Sequence, residues 1–332
     1  MQIIKPSAEI FNIKDKIELV ERIGRVCYKS ENMIKEGSAE KFVSGLMNRK
    51  HYAMIEHGHI IVSMTSSLYN NIRLAKNENG DFMYDLTYMN CTCDSNSGTY
   101  IMSGSFRAWR DMFIKAKEDI CYLLCTLYYE YPIIFEDIIN SIYTVFPTKE
   151  ELVEFDECYV ISEDGLKVLY QDRPDLLMEH ITHTVHFVCD RGVSHEFVRH
   201  RNCAFAQEST RYCNYSKDKF GNEITVILPL FFDTGMGTDS NSLVYETWKH
   251  SCEVAERKYF ELLNYGATPQ EARSVLPNSL KTELVITATE KEWQHIINLR
   301  YHGTTGAPHP QMVESMSLIY DDLCKISDRR LK

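Results

Sequence analysis

The 332-residue sequence has no run approaching the roughly 18 consecutive apolar residues that a membrane-spanning helix needs. Its opening, MQIIKPSAEIFNIKDK, lacks the apolar centre of a secretory signal. These absences predict a soluble, cytoplasmic protein with no membrane partner. Positive charge is also scarce, with 36 Lys and Arg against 47 Asp and Glu and a net charge of −11. Binding to nucleic acid or anionic lipid rests on many distributed cations, so the acidic surplus disfavours both. Any anion held here must meet a local cluster. The 11 cysteines are odd in number and scattered, mostly in apolar settings such as Cys121 and Cys125 in CYLLC, and make no disulfide framework. That usage fits a reducing compartment. Repeats and low-complexity segments are missing, and a chain that is 44% hydrophobic is not largely disordered.

What is present reads as strands separated by long helices, without regular βαβ alternation. Apolar residues recur every three or four positions from Lys14 to Cys27 and again after Ser38, predicting two helices. His51 to Met64 turns extended, and Leu74 to Gly104 reads as loop and short strand. Phe106, Trp109, Phe113, Ala116, Ile120, Leu123 and Leu127 predict one long helix over 106–131, stopped by Pro132. The acidic stretch to Asp175 reads as irregular. Ile181 to Val188 alternates as a strand, Glu223 to Phe232 as another, and Leu280 to Ala288 as a third. Long helices are expected over 242–265, from Thr289 to Arg300, and through Met312, Met316, Ile319 and Leu323. Thr268, Pro269 and Glu271 form a capping box with proline at the first helical position. The expected fold class is α+β, a central, mostly antiparallel sheet flanked by long helices. It is read as a single catalytic domain over residues 1–332, with an extra segment at about 66–178 read as a peripheral layer or interface insert.

The chemistry concentrates at residues 199–211, where Arg199, His200 and Arg201 are followed after seven residues by Ser209, Thr210 and Arg211. Guanidinium forks match phosphate oxygens bidentately, and a serine adds a hydrogen bond from the same loop, so this stretch suits two anionic groups. A solvated basic turn, or a salt-bridge knot with Glu196 and Glu208, is the plainer reading of the same residues. His180, His183 and His186 do not make a metal site: on a strand the first and last share one face and the middle one points away. No metal is expected. Asp233 to Ser240 contains Gly-x-Gly but lacks the third glycine and an enclosing βαβ unit, so it reads as a turn. Cys203 and Cys213 flank the basic loop and are assigned to packing or a pocket wall, and Trp109, Trp248 and Trp293 to the core. His57 and His59 are left open between a site and the core.

The spacing Arg-His-Arg, seven residues, Ser resembles the signature of the flavin-dependent thymidylate synthases. Five further segments keep that family's order: RVCYKS at Arg25, His51 with Glu56 and His57, EARSVLPNSLKTE at Glu271, EWQHIINLR ending at Arg300, and HPQM at His309. DRGVSHEFVRHR leads into the signature itself. The resemblance covers roughly 20–65 and 180–315. It implies a homotetramer with active sites where subunits meet, FAD as cofactor, dUMP as substrate, and NADPH and methylenetetrahydrofolate as co-substrates. The flavin would be held by Arg199, His200 and Arg201, supported by His51, Ala53 and Gln207 and by Thr289, Lys291 and His295. The nucleotide would meet Glu196, Arg199, Gln207, Glu208, Ser209, Thr210 and Arg211, with Arg273 at the phosphate. Arg300 would activate the base, because a guanidinium near N3 and its carbonyl stabilises the charge that develops as uracil carbon 5 becomes nucleophilic.

Several positions depart from the commoner family pattern. Ala53 replaces a Ser or Thr that usually touches the flavin, Ala204 a Ser, Ala206 an Asn, and Gln207 a Glu. Thr289 and Lys291 stand where Asn and Arg are usual, and Lys cannot reproduce a planar fork. Altered flavin affinity is expected from these changes. Alternative functions on the same residues are a flavin-dependent transferase or NADPH oxidase acting on another pyrimidine nucleotide, a nucleic-acid-binding module stacking bases on Tyr212 and Tyr215, and a catalytically silent homologue.

Overall fold

The computed structural model describes the whole chain except residues 77–78, 115–119, 156, 212, 218–220 and 234–238. Ala116, Tyr212 and positions 234–238 of the Gly-x-Gly stretch therefore lie outside the described residues.

Ten strands are described: β1 Gln2–Ile4, β2 Ser7–Phe11, β3 His59–Met64, β4 Met89–Asp94, β5 Thr99–Ser105, β6 Cys158–Val160, β7 Thr182–Asp190, β8 Ala204–Gln207, β9 Thr225–Ile227 and β10 Lys281–Thr289. The expected α+β class holds in outline, but the single central sheet becomes two four-stranded antiparallel sheets, ordered β2-β7-β10-β8 and β4-β5-β3-β6, with a parallel pair β1-β9 beside them. The period of two explains the first sheet's burial. Leu284, Ile286 and Ala288 of β10 pack with Val185 and Phe187 of β7 against Trp293. Val285, on the opposite face, joins Ala206 in a core with the N-terminal helices and much of 66–178. Fully burying an aliphatic side chain contributes ~1.5–3 kcal/mol, so β10, buried without break from Leu284 to Ala288, anchors both layers.

Helices Lys16–Tyr28 and Ser38–Asn48 form as expected. The long helix expected over 106–131 is two, Phe106–Ile114 and Cys121–Glu130. Ile120 has φ −129° and ψ 33°, outside the helical region, so the two cannot run on as one. Pro132 starts a helix, Pro132–Ile142, at its first position, where a missing N–H is no loss. The stretch to Asp175 is thus not irregular: Ile134, Phe135, Ile138 and Ile139 are buried at helical spacing. Three short helices follow, Lys149–Phe155, Glu163–Leu169 and Pro174–His180. The strand expected over 223–232 shortens to β9 because its partner β1 has three residues, and Pro229 leads into a helical turn at Leu230–Asp233. The C-terminal helix divides into Pro310–Ser317 and Tyr320–Ile326 around Ile319 at φ −127°. Within 66–178, β4, β5 and β6 complete the sheet around β3, which packs them onto the remainder of the chain. A Cβ at Gly58, just before β3, would run into the Phe106 ring, so the chain needs glycine at that crossing.

Candidate active site

The seven-residue spacer of the signature contains β8, which lies antiparallel to β10 with Ala204 opposite Thr287 and Gln207 opposite Leu284. At about 3.3 Å per residue, the three steps from Ala204 to Gln207 carry the chain roughly 10 Å along the strand. Arg199 to Arg201 therefore emerge beside the C-terminal end of β10, and Ser209 to Arg211 beside its N-terminal end. The single basic cradle expected from sequence is divided, within one chain, into two groups.

At the first end, helix Glu290–Arg300 carries Arg300 in its last turn. The guanidinium donates to the Glu196 carboxylate at 2.7 Å through Nη1, to the Glu196 carbonyl at 2.9 Å through Nη2, and from Nε to His200 Nε2 at 3.2 Å. A neutral imidazole that accepts at Nε2 carries its proton at Nδ1. That nitrogen lies 3.7 Å from Glu292. The Glu292 carboxyl is held below the usual range, first by the bond from His200 and further by His295 and Asn202, against the opposing effect of burial. His295 packs edge-on to His200 at 5.5 Å between ring centroids. A cavity of about 320 Å³ opens here, lined by Arg199, Arg201 and Arg300 together with both histidines. Arg199 and Arg201 have no ion-pair partner among the described residues. His200, Glu292 and His295 present ligand atoms within 4.8 Å of one another. Three guanidiniums on the same cavity repel a cation there, and the cluster suits an anion better than a metal.

A second cavity of about 390 Å³ shares Arg201 and Asn202 with the first and reaches Thr289 and the segment around Tyr88 to Arg107. Cys203 lies on its wall, and burial pushes its thiol well above the ordinary range, so no thiolate is available as a nucleophile.

At the other end of β8, Gln207 donates to Ser194 at 2.9 Å and Thr282 at 3.2 Å. Buried Glu208 meets Lys281 at 2.8 Å. Burial opposes the charge on Lys281, but Glu208 and Glu283 outweigh it and raise its pKa. Ser209 Oγ accepts from the Arg211 amide at 3.3 Å, and Arg273 donates to Thr210 at 3.2 Å from the turn after the Thr268–Glu271 capping box, which forms as expected. Arg273 thus gathers with Thr210, away from Arg300.

The remaining expected flavin contacts fall elsewhere in this chain. His51, after helix Ser38–Asn48, bonds Tyr28 at 2.8 Å, and Ala53 precedes the turn Met54–His57. Lys291 pairs with Glu179 on the exposed side of its helix start. His180 ends a helix rather than sharing the β7 strand, and bonds Ser103 and Thr92. His183 meets Glu290, and His186 bridges Glu9 and Glu283. Trp109 and Trp293 are fully buried, while Trp248 is half-buried and donates to Ser279. The sequence reading missed Glu292, whose position at a helix start disguised its second task, and Asn202, which carried no signal beyond lying next to Arg201.

Arg199, Arg201 and Arg300 at one end of β8 and Arg273 with Thr210 at the other make a two-ended cationic site whose charge suits anions. The family model described as "Thymidylate synthase complementing protein" matches residues 138–323, more than half of the chain, and the chain belongs to that family. Similar curated proteins include a flavin-dependent thymidylate synthase of Pyrococcus furiosus, 30% identical over 125 residues (37% of this chain, 48% of the relative). One of Corynebacterium aurimucosum is 33% identical over 136 residues (38% and 52%). The chain spans about half the length of the curated relatives it matches. Among solved structures, a UMP/dUMP methylase PolB from Streptomyces cacaoi bound with 5-Br dUMP aligns over 99% of this chain and 96% of its own, at 13% identity and TM-score 0.42. The same methylase bound with 5-Br UMP aligns over 49% of this chain and 76% of its own, at 22% identity and TM-score 0.40.

Proposed function

We propose that the chain is a flavin-dependent thymidylate synthase, which methylates dUMP to dTMP using methylenetetrahydrofolate as carbon donor and FAD reduced by NADPH. One observation carries the reading: Arg300 is locked onto Glu196 and His200, a hundred residues away, in a cavity that also holds Arg199 and Arg201, which have no ion-pair partner among the described residues. Those two cations fit the phosphates of a flavin dinucleotide, with His200 and His295 beside them. A bound flavin supplies the reducing equivalents that complete the methyl group.

The chain's own residues do the rest. A guanidinium has five N–H donors, and Arg300 commits three of them to Glu196 and His200. The fork is thereby fixed in direction, and the other two donors are left for the N3 edge of a uracil. Donors aimed at the developing charge before the reaction starts lower its barrier without reorganisation. No cysteine nucleophile enters, in keeping with the raised Cys203 thiol. Arg273, Thr210, Ser209 and Arg211 form the nucleotide-phosphate group at the far end of β8.

Because β8 separates that group from Arg300, the proposed active site is completed between copies of the chain in a homotetramer: one copy brings Arg300 and another brings Arg273. The test is subunit mixing. Arg300→Ala and Arg273→Ala, each inactive alone in tritium release from dUMP labelled at carbon 5, are expected to regain activity when refolded together, at up to about a quarter of the sites. Mixtures as silent as their parents would refute the shared site. A protein that neither binds FAD nor releases tritium would refute the function.

A further inference from the structure

We propose that the segment between Thr87 and Asp111, inside the extra region, walls the adenylate half of the flavin dinucleotide. This rests on the function proposed above. The two cavities beside the signature loop, about 390 and 320 Å³, share Arg201 and Asn202 and diverge from there. A ligand with two aromatic heads joined by a pyrophosphate fits such a pair, with its phosphates at the shared arginine. The reacting head must lie by Arg300, which only the smaller cavity reaches, so the non-reacting head takes the larger.

The larger cavity's composition matches a nucleotide head. On the side of the extra segment, Arg107 is paired with Glu56 at 2.5 Å and Asp111 at 3.5 Å, so that side has no cation to spare and the phosphate stays at Arg201. Tyr88 stands 76% exposed on the rim, a free aromatic surface on which a base can stack. His59 lines the same cavity, and its buried Nε2 has no hydrogen-bond partner among the described residues. Buried polar groups are rarely left unpaired. Burial, with Lys16 and His180 adding to it, holds the His59 imidazole down at about 3, so near neutral pH it is uncharged and suits the edge of a neutral heterocycle rather than a phosphate.

The experiment titrates FAD, FMN and ADP into the wild type, Tyr88→Ala and His59→Leu, following flavin fluorescence for the first two and calorimetry for ADP. Circular dichroism monitors folding; exposed Tyr88 is expected to be replaceable without loss of fold. Tyr88→Ala is expected to weaken FAD and ADP roughly tenfold or more, the scale of one lost base stack, and to leave FMN unchanged. FAD and ADP binding equal to wild type in Tyr88→Ala, or an equal loss for FMN, overturns the proposal. A wild type that binds ADP through Tyr88 but not FAD sustains the adenylate wall and removes the flavin reading. Binding of neither removes both.

Discussion

Replacing Arg300 by alanine separates a catalytic role from a structural one. The side chain makes two hydrogen bonds to Glu196 and one to His200, with the Arg300 and Glu196 side chains 18% and 27% exposed. Hydrogen bonds to charged groups are worth ~1.5–3 kcal/mol when buried, and partial exposure discounts them. A net loss of about 1–3 kcal/mol is expected, lowering the melting midpoint by several degrees at about 2–4 °C per kcal/mol for a large domain. Losing one pre-aimed donor in a reaction centre costs ~10²–10³ in turnover, far more than so small a loss of stability explains at a temperature where the variant is folded. Tritium release from dUMP, flavin absorbance of the purified variant and a thermal melt measure the three quantities together. Arg300→Lys, which keeps charge but not the fork, should remain more than about tenfold impaired. If Arg300→Ala holds flavin and still turns over at above about a tenth of the wild-type rate, a barrier difference under ~1.4 kcal/mol, Arg300 does not activate the base.

Acid should unfold the protein through its histidines. His57 and His59 are lowered to about 3 and His180 to about 4, each mainly by burial, from an ordinary 6.5. The unfolded chain takes up these protons first, so the stability is complete above pH 6.5 and is lost as pH falls from there towards 3 to 4, at about 2 kcal/mol for each histidine by pH 5. Denaturant midpoints that stay flat from pH 7.5 to 5 would contradict this. Cys203→Ala is expected to keep turnover within about threefold, since the buried thiol offers no thiolate; a loss approaching that of Arg300→Ala would put cysteine chemistry back into the mechanism. Thr268→Ala removes the capping box that launches the turn bearing Arg273. It should cost ~1 kcal/mol by thermal melting and raise the KM for dUMP more than it lowers kcat; an unchanged KM would detach that turn from the nucleotide.

Much of the candidate site was legible in residues 199–300 because its signals are local. The Arg-His-Arg spacing, the capping box at Thr268, and the two-residue alternation of β7 and β10 each lie within a dozen residues, where side-chain period and hydrogen-bond chemistry act directly. Where the reading failed, it failed at junctions. Periodicity over 106–131 cannot register the one residue, Ile120, whose backbone leaves the helix, and acidic composition hid the buried Ile134, Phe135, Ile138 and Ile139. Histidine spacing put His180 on a strand, although the helix begun by Pro174 holds it.

The sequence by itself determined which chemistry is available: guanidiniums in an acidic chain, a family signature, and thiols set among apolar neighbours. Only the tertiary structure decided how that chemistry is divided. The register of β8 on β10 sends the two ends of the signature to opposite ends of a strand, and the pairing of β4 and β5 with β3 carries Tyr88 to within reach of the cavity at Arg201. Both depend on contacts between residues far apart in the chain, which no local period records.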